Sequence, residues 1–106
     1  MKIGVIISSN DAETCWNAFR FANFSLNNKD EVNIFLIGKG VEYENISNEQ
    51  FNIIEQAEKF QEAGGKIFAC GTCLKQRNSA GSNLCPLSTM KDMYRIVAES
   101  DKILTF

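Results

Sequence analysis

Short apolar runs rich in β-branched and aromatic residues alternate along this chain with longer segments that are half polar. The runs lie at Lys2–Ser8, Glu31–Gly38, Lys66–Cys70 and Lys102–Phe106. Apolar side chains at consecutive positions are typical of strands that are buried on both faces of a parallel sheet. We therefore predict a strand at each run, and we expect the last strand to end inside the core.

Most segments between these runs repeat apolar residues every three or four positions, which is the spacing of an amphipathic helix. Helices are predicted from Asp11 to Asn27, from Ser47 to Gly64, and from a Ser88 cap onward. In the last helix the side chains expected to face inward are Met90, Met93, Ile96 and Val97.

Three further segments carry weaker signals. Gly71–Arg77 has helical potential, and Val41–Ile46 is predicted as a loop that borders or covers a site. The segment Asn78–Leu87 contains the only proline, and within it Leu84-Cys85 is predicted as an edge strand because proline is confined to sheet edges.

This alternation of strands and helices predicts one α/β domain over residues 1–106, with a three-layer, doubly wound and mostly parallel sheet of about five strands, as in flavodoxin-like folds. Ligands of such sheets bind beyond the carboxyl ends of the strands. Ser8, Lys39 and Cys70 follow or end predicted strands. We therefore expect the functional site near them.

Composition removes several classes of function. A net charge of −2 leaves no basic field for nucleic acid. The apolar runs are too short to cross a bilayer, and the first residues show no signal-peptide pattern, so we expect a cytoplasmic protein that binds no membrane. Histidine is absent, which removes the commonest general base and metal ligand. The chemistry is therefore expected on sulfur, carboxylate, hydroxyl or backbone groups.

Four cysteines are the main chemical resource of the chain, and in the cytoplasm they are expected to be reduced. Cys70 ends a predicted strand, and Cys73 follows three residues later near a helix start. The positive end of a helix stabilises a thiolate, the reactive form of cysteine. Nearby Lys75 and Arg77 add weak support. Cys70 and Cys73 are the candidate catalytic residues.

Other readings of the cysteines stay open from the residues alone. Each cysteine can be a small buried hydrophobe. Cys70, Cys73 and Cys85 can also ligate zinc or an iron–sulfur cluster, with Cys15, a carboxylate or an exogenous group as the fourth ligand. A thioredoxin-like dithiol is less favoured, because that fold usually places the pair after its first core strand.

Three parts of the sequence resemble the DsrE/DsrF-like family, which includes TusD-type sulfur-relay subunits and YchN-like proteins. They are Phe35–Val41, the stretch Cys70–Arg77, and the closing helix and strand ending at Phe106. The likeness covers nearly the whole chain. This chain departs from the relay pattern at Cys73 and Asn78, where those members tend to have a small residue and a glycine, and it adds Cys85.

The resemblance implies that Cys70 receives sulfur as a persulfide and passes it on, as a sulfurtransferase or sulfur carrier. Its partners would be sulfur donor and acceptor proteins, and its assembly a homo-trimer or homo-hexamer. No cofactor or resident metal is expected on this hypothesis. The resemblance carries this role to Cys70 only; Cys73 would serve as a resolving thiol or second carrier, since thiols three residues apart near a helix start can meet. The alternative is a binding or scaffold subunit whose cysteines ligate a metal or small ligand.

Some side chains are expected at the surface. Phe21, Phe24 and Tyr43 occupy positions where helix or loop geometry places at least some of them outside the core of one chain, which supports an oligomer. The acidic pairs Asp30-Glu31 and Glu42/Glu44 are interpreted as solvated surface charge.

Overall fold

A computed structural model describes residues 1–106 and contains one five-stranded sheet with helices on its faces. The elements are β1 (Lys2–Ile7), α1 (Ala12–Asn27), β2 (Glu31–Leu36), a 3-10 helix (Gly38–Glu42), α2 (Tyr43–Ile46), α3 (Ile53–Glu62), β3 (Lys66–Cys70), α4 (Gly71–Gln76), β4 (Leu87–Ser88), α5 (Met90–Glu99) and β5 (Lys102–Thr105). The strand order is β4-β3-β2-β1-β5, and every neighbouring pair is parallel. The predicted three-layer α/β architecture is confirmed. None of the helices combines the length and apolar character that a bilayer crossing requires.

The larger core lies between the sheet and the packed pair α1 and α3. Helix α1 begins where predicted, because the Asp11 carboxylate caps it by accepting a hydrogen bond from the Thr14 N–H at 2.9 Å. Phe19 is fully buried in this core, with its ring 5.1 Å from Tyr43 and 6.3 Å from Phe60 between centroids. Aromatic packing at these distances joins α1, α2 and α3.

The opposite face of the sheet is covered by α5 alone among the long helices. A small cluster of Phe35, Cys70 and Ile96 is buried there, with Met93 partly buried against it. Met90 and Val97 were also expected to face inward, but both are exposed. One helix cannot cover the whole face of a five-stranded sheet, so its flanking apolar side chains remain in solvent.

Strand β5 is an edge strand that pairs only with β1. The expectation that the chain ends inside its core is therefore wrong. Ile103 is exposed, while Leu104 and Phe106 are only partly buried against the main core. An edge strand has a neighbour on one side only, so burial of its residues depends on helices that cover it.

The segment after β2 is more ordered than predicted. The expected loop Val41–Ile46 contains the end of the 3-10 helix and the whole of α2. The following helix begins at Ile53 instead of Ser47, because Asn52 is its N-cap and accepts a hydrogen bond from the Glu55 N–H.

Tyr43 lies inside the core with 0% exposure, contrary to the expectation that it is a surface aromatic. Helix α2 turns its ring toward Phe19, and its hydroxyl donates a hydrogen bond to the Leu84 carbonyl. A buried tyrosine is stable when its hydroxyl has such a partner. Phe21 and Phe24 are exposed, as expected.

The edge strand on the β3 side lies at Leu87–Ser88 and not at Leu84-Cys85. Cys85 instead forms an antiparallel bridge with Ser82 in a tight turn. Ser88 does not cap α5. Its hydroxyl accepts a hydrogen bond from the Ala69 N–H, and Thr89 caps the helix. The strand thus continues to the residue that sequence alone assigned to the cap.

The carboxylates of Asp11 and Asp92 form hydrogen bonds at the starts of α1 and α5, and these bonds favour the ionised form of each carboxyl group. Hydrogen bonds from Thr14 lower the pKa of Asp11, and hydrogen bonds from Thr89 lower the pKa of Asp92. A carboxylate whose pKa is lowered by folding stabilises the fold fully above its unfolded pKa, and that contribution is lost as the pH falls through the folded pKa.

We therefore expect the urea concentration at the midpoint of unfolding to decrease as the pH is lowered from about 6 to about 3. Asp92→Asn should make this decline shallower, because asparagine cannot titrate. Glu49→Gln, which also removes a carboxylate, is the control, because Glu49 is exposed and lies outside the helices. An equally steep decline in the Asp92→Asn protein would contradict the assignment.

Candidate functional site

Cys70 lies at a junction of three elements. It is the last residue of β3 and the N-cap of α4, and its side chain packs beside Phe35 and Ile96 under α5. Only 4% of the residue is exposed. Its sulfur accepts a hydrogen bond from the Cys73 N–H at 3.4 Å. The predicted position at the carboxyl end of a strand and the start of a helix is therefore what the structure contains.

Cys73 lies on the first turn of α4 and is more accessible than Cys70. Its thiol packs against the Cys70 cluster, and its sulfur accepts a hydrogen bond from the Gly38 N–H at 3.2 Å. Burial raises the pKa of Cys73, and the hydrogen bond with Cys70 raises it further. The Gly38 N–H and the Arg77 charge act in the opposite direction. The two candidate thiols thus form one contiguous pair.

The Gly38-Lys39-Gly40 motif brings the end of β2 to this pair. Gly38 has a φ of 57°, in the left-handed region that glycine adopts without steric cost. A Cβ on Gly40 would collide with the backbone carbonyl of Ile7. Both glycines are therefore required for the 3-10 helix to pass closely over the sheet edge and to present the Gly38 N–H to Cys73.

Arg77 and Glu42 hold the other side of the pair. The Arg77 Nε donates to Glu42 at 2.6 Å, and another guanidinium N–H donates to the Cys73 carbonyl at 3.0 Å. The hydrogen bond from Arg77 to Glu42 is the largest cause of a lowered Glu42 pKa, and a hydrogen bond from Asn10 lowers this pKa further. Glu42 is therefore a partner of the site and not the free surface charge that the sequence suggested. Glu42 and Arg77 are 35 residues apart, so no pattern among neighbouring residues predicted that they pair.

An open groove runs beside Cys70. Its lining includes Lys75 from α4, together with Leu87 and Met90 from the edge strand and α5. Lys75 supplies one positive charge at the rim, and the two apolar side chains offer contact to a partner. Both basic residues named from the sequence thus lie near the pair, with Lys75 beside the groove of Cys70 and Arg77 beside Cys73.

The other two cysteines belong to a different part of the molecule. Cys15 and Cys85 are buried in the main core, where their thiols donate to the carbonyls of Ser9 and Val41. Burial raises the pKa of Cys15 to about 11 and that of Cys85 to about 12. All four cysteines are free thiols, and nowhere do three cysteine or acidic side chains converge as metal ligands. The geometry does not favour the cysteine-ligated metal centre.

The site contains two thiols with backbone N–H groups and a groove beside them. Such thiols can perform thiol and persulfide exchange, since the thiolate is the attacking species in both reactions. The family model of the DsrE/DsrF-like family matches residues 1–106 of the chain. The chain belongs to the DsrE/DsrF-like family. This DsrE-like protein is therefore a member of a family that includes sulfur-relay proteins, as the sequence motifs predicted.

Two uncharacterized proteins are similar to this chain in sequence. An uncharacterized protein of Methanocaldococcus jannaschii is 36% identical over 114 residues and is covered completely, as is this chain. An uncharacterized protein of Methanopyrus kandleri is 35% identical over 100 residues, which cover 89% of this chain and 83% of the relative.

Solved structures confirm the fold of this DsrE-like protein. The ychN protein from Escherichia coli superposes with a TM-score of 0.83 at 20% identity, covering both chains completely. A conserved protein of unknown function from Bacteroides thetaiotaomicron gives a TM-score of 0.80 at 22% identity, over 99% of this chain and 94% of the other. The predicted YchN-like architecture is therefore correct.

Proposed function

We propose that this DsrE-like protein carries sulfane sulfur as a persulfide on Cys70 and moves it between a donor and an acceptor protein. The observation that carries the proposal is the position of the Cys70 sulfur, which accepts the Cys73 N–H and borders an open groove. A hydrogen bond from a backbone N–H stabilises charge on a thiolate or persulfide. Family membership supports the same chemistry.

The transfer consists of two exchanges. The Cys70 thiolate attacks the outer sulfur of a donor persulfide, the donor sulfur–sulfur bond breaks, and the donor thiol leaves with the electron pair. The outer sulfur is then held as Cys70-S-SH, a reversible state of cysteine. An acceptor thiolate attacks that outer sulfur in turn and releases Cys70 as a thiolate. No electrons are gained or lost over the cycle, so no cofactor is needed.

The proposal is tested by exposing reduced protein briefly to inorganic polysulfide, quenching with an alkylating agent, and locating the added sulfur by peptide mass spectrometry. We expect the mass of one sulfur atom on the Cys70 peptide. Sulfur found only on Cys15 would refute the assignment.

The chemistry requires reduced thiols, so we place the protein, as one DsrE-like domain over residues 1–106, in the cytoplasm.

We also propose that the protein works as a homo-trimer or homo-hexamer. Supporting this, α5 and the adjoining strand β4 expose apolar side chains that we name the α5 surface, which consists of Leu87 from β4 and Met90, Tyr94 and Val97 from α5. Tyr94 is 76% exposed. Apolar and aromatic side chains exposed together favour a protein partner over water. Because Leu87 and Met90 also line the groove, a second copy on this surface would shelter a persulfide on Cys70.

Light scattering at micromolar concentration is expected to give a mass three or six times that of one chain. Val97→Glu should reduce the mass, because it places a charge in the α5 surface. Gln50→Glu is the control for an added charge, since Gln50 is exposed between α2 and α3, outside the α5 surface, and it should leave the mass unchanged. A single-chain mass for the unmodified protein would overturn the proposal.

A further inference from the structure

Cys73 is a partly accessible thiol that lies against the proposed carrier sulfur. Its thiol packs against the Cys70 cluster, while its own backbone N–H donates to the Cys70 sulfur at 3.4 Å. Once Cys70 is loaded, that sulfur becomes the inner sulfur of the persulfide. Cys73 therefore lies next to the inner sulfur.

Two groups beside Cys73 oppose the burial that raises the pKa of its thiol. The Gly38 N–H donates to the Cys73 sulfur at 3.2 Å, and the Arg77 guanidinium is anchored nearby on the Cys73 carbonyl and on Glu42. Both groups stabilise negative charge on that sulfur. The Glu42 bridge fixes the Arg77 side chain, so the stabilising groups are in place before the reaction.

We propose that Cys73 limits the lifetime of the Cys70 persulfide by displacing its outer sulfur as hydrosulfide and closing a Cys70–Cys73 disulfide. This inference rests on the proposed carrier function and adds a control of the same site. A persulfide that meets an acceptor passes its sulfur on. A persulfide that meets none is discharged within the molecule.

The step balances without an added oxidant. Cys73 gives its proton to solvent, and its thiolate attacks the inner sulfur of Cys70-S-SH. The bond between inner and outer sulfur breaks, and the outer sulfur leaves with the electron pair as HS⁻. The outer sulfur is reduced to sulfide, and the two cysteine sulfurs are oxidised to a disulfide. An external dithiol must then reduce the disulfide before Cys70 is loaded again, so loading depends on the supply of reductant.

The test compares the wild-type protein with Cys73→Ser, in which the hydroxyl can still accept the Gly38 N–H. Both are loaded with inorganic polysulfide without oxygen, desalted, and sampled over time for released hydrosulfide and intact mass. The wild type should release one hydrosulfide per chain and end two hydrogens lighter than the reduced protein, with Cys70 and Cys73 joined in peptide maps. The persulfide in Cys73→Ser should persist on the order of a hundredfold longer, because its neighbouring thiol is missing.

Cys15→Ser is the matched control, since its hydroxyl can donate to the Ser9 carbonyl as the thiol does at 3.1 Å, and it should behave like the wild type. Cys73→Ala, checked by circular dichroism, repeats the comparison if the serine variant folds poorly. Equal persulfide lifetimes, or sulfur recovered on Cys73 in the wild type, would overturn the inference and leave the carrier function standing. Absence of sulfur on Cys70 in every protein would refute the carrier function, and the inference with it.

Discussion

Replacing Cys70 by serine is expected to lower sulfur loading by polysulfide on the order of a hundredfold, because a serine hydroxyl is neither ionised nor nucleophilic toward sulfur at neutral pH. Loading is measured as protein-bound sulfane sulfur plus released hydrosulfide, so that discharge through Cys73 does not hide it. The fold should be preserved, since serine at a helix N-cap can accept the Cys73 N–H that the cysteine sulfur accepts now.

Cys85→Ser is the matched control for this loss. Cys85 is buried like Cys70, but it lies in the main core and burial raises the pKa of its thiol to about 12. Its replacement should leave loading unchanged. If Cys70→Ser loads as well as the wild type, with the sulfur found on Cys73, the carrier residue is Cys73 and our assignment is wrong.

Phe19→Ala is expected to lower the free energy of unfolding by about 4 kcal/mol, since truncation of a fully buried phenylalanine removes apolar burial and leaves a cavity. The Phe19 ring contacts Tyr43 and Phe60, and thereby joins three helices on one face of the sheet. Domains of this size have a stability of about 5–15 kcal/mol, so this one change removes a large share of it. The loss is measured by urea unfolding monitored by circular dichroism.

Phe24→Ala makes the same chemical change on the same helix, where the side chain is 65% exposed. We expect it to cost less than about 1 kcal/mol, because exposed substitutions remove little buried surface. Similar losses for Phe19→Ala and Phe24→Ala would show that α1 does not pack on the sheet through the Phe19 side.

The site couples two long-range contacts to one local motif. Cys70-Gly71-Thr72-Cys73 brings the two thiols together, because residues three apart meet on the first turn of a helix. Gly38 and Glu42 then reach this turn from the segment after β2. Cys70 lies under one helix with Cys73 nearer the surface, so most of the sulfur pair is shielded from solvent.

Local patterns were sufficient for much of the fold. Runs of consecutive apolar residues predicted β1, β2 and β3, and periodic apolar spacing predicted α1. The position of Cys70 followed from the same reasoning, since it depends only on where a strand stops and a helix starts. These features are determined by residues that are close together in the sequence, so a single sequence is sufficient to predict them.

Other features depend on which segments meet. The pattern did not predict that Tyr43 points into the core, because its burial requires Phe19 on one side and the Leu84 carbonyl on the other. It did not reveal that Glu42 pairs with Arg77, or that Gly38 donates to Cys73. It placed the end of the chain in the interior, whereas strand order puts β5 at an edge that helices only partly cover. Each of these features depends on residues that are far apart in the sequence. The local pattern around a residue is the same whether or not its distant partner is present, so the pattern does not predict the contact.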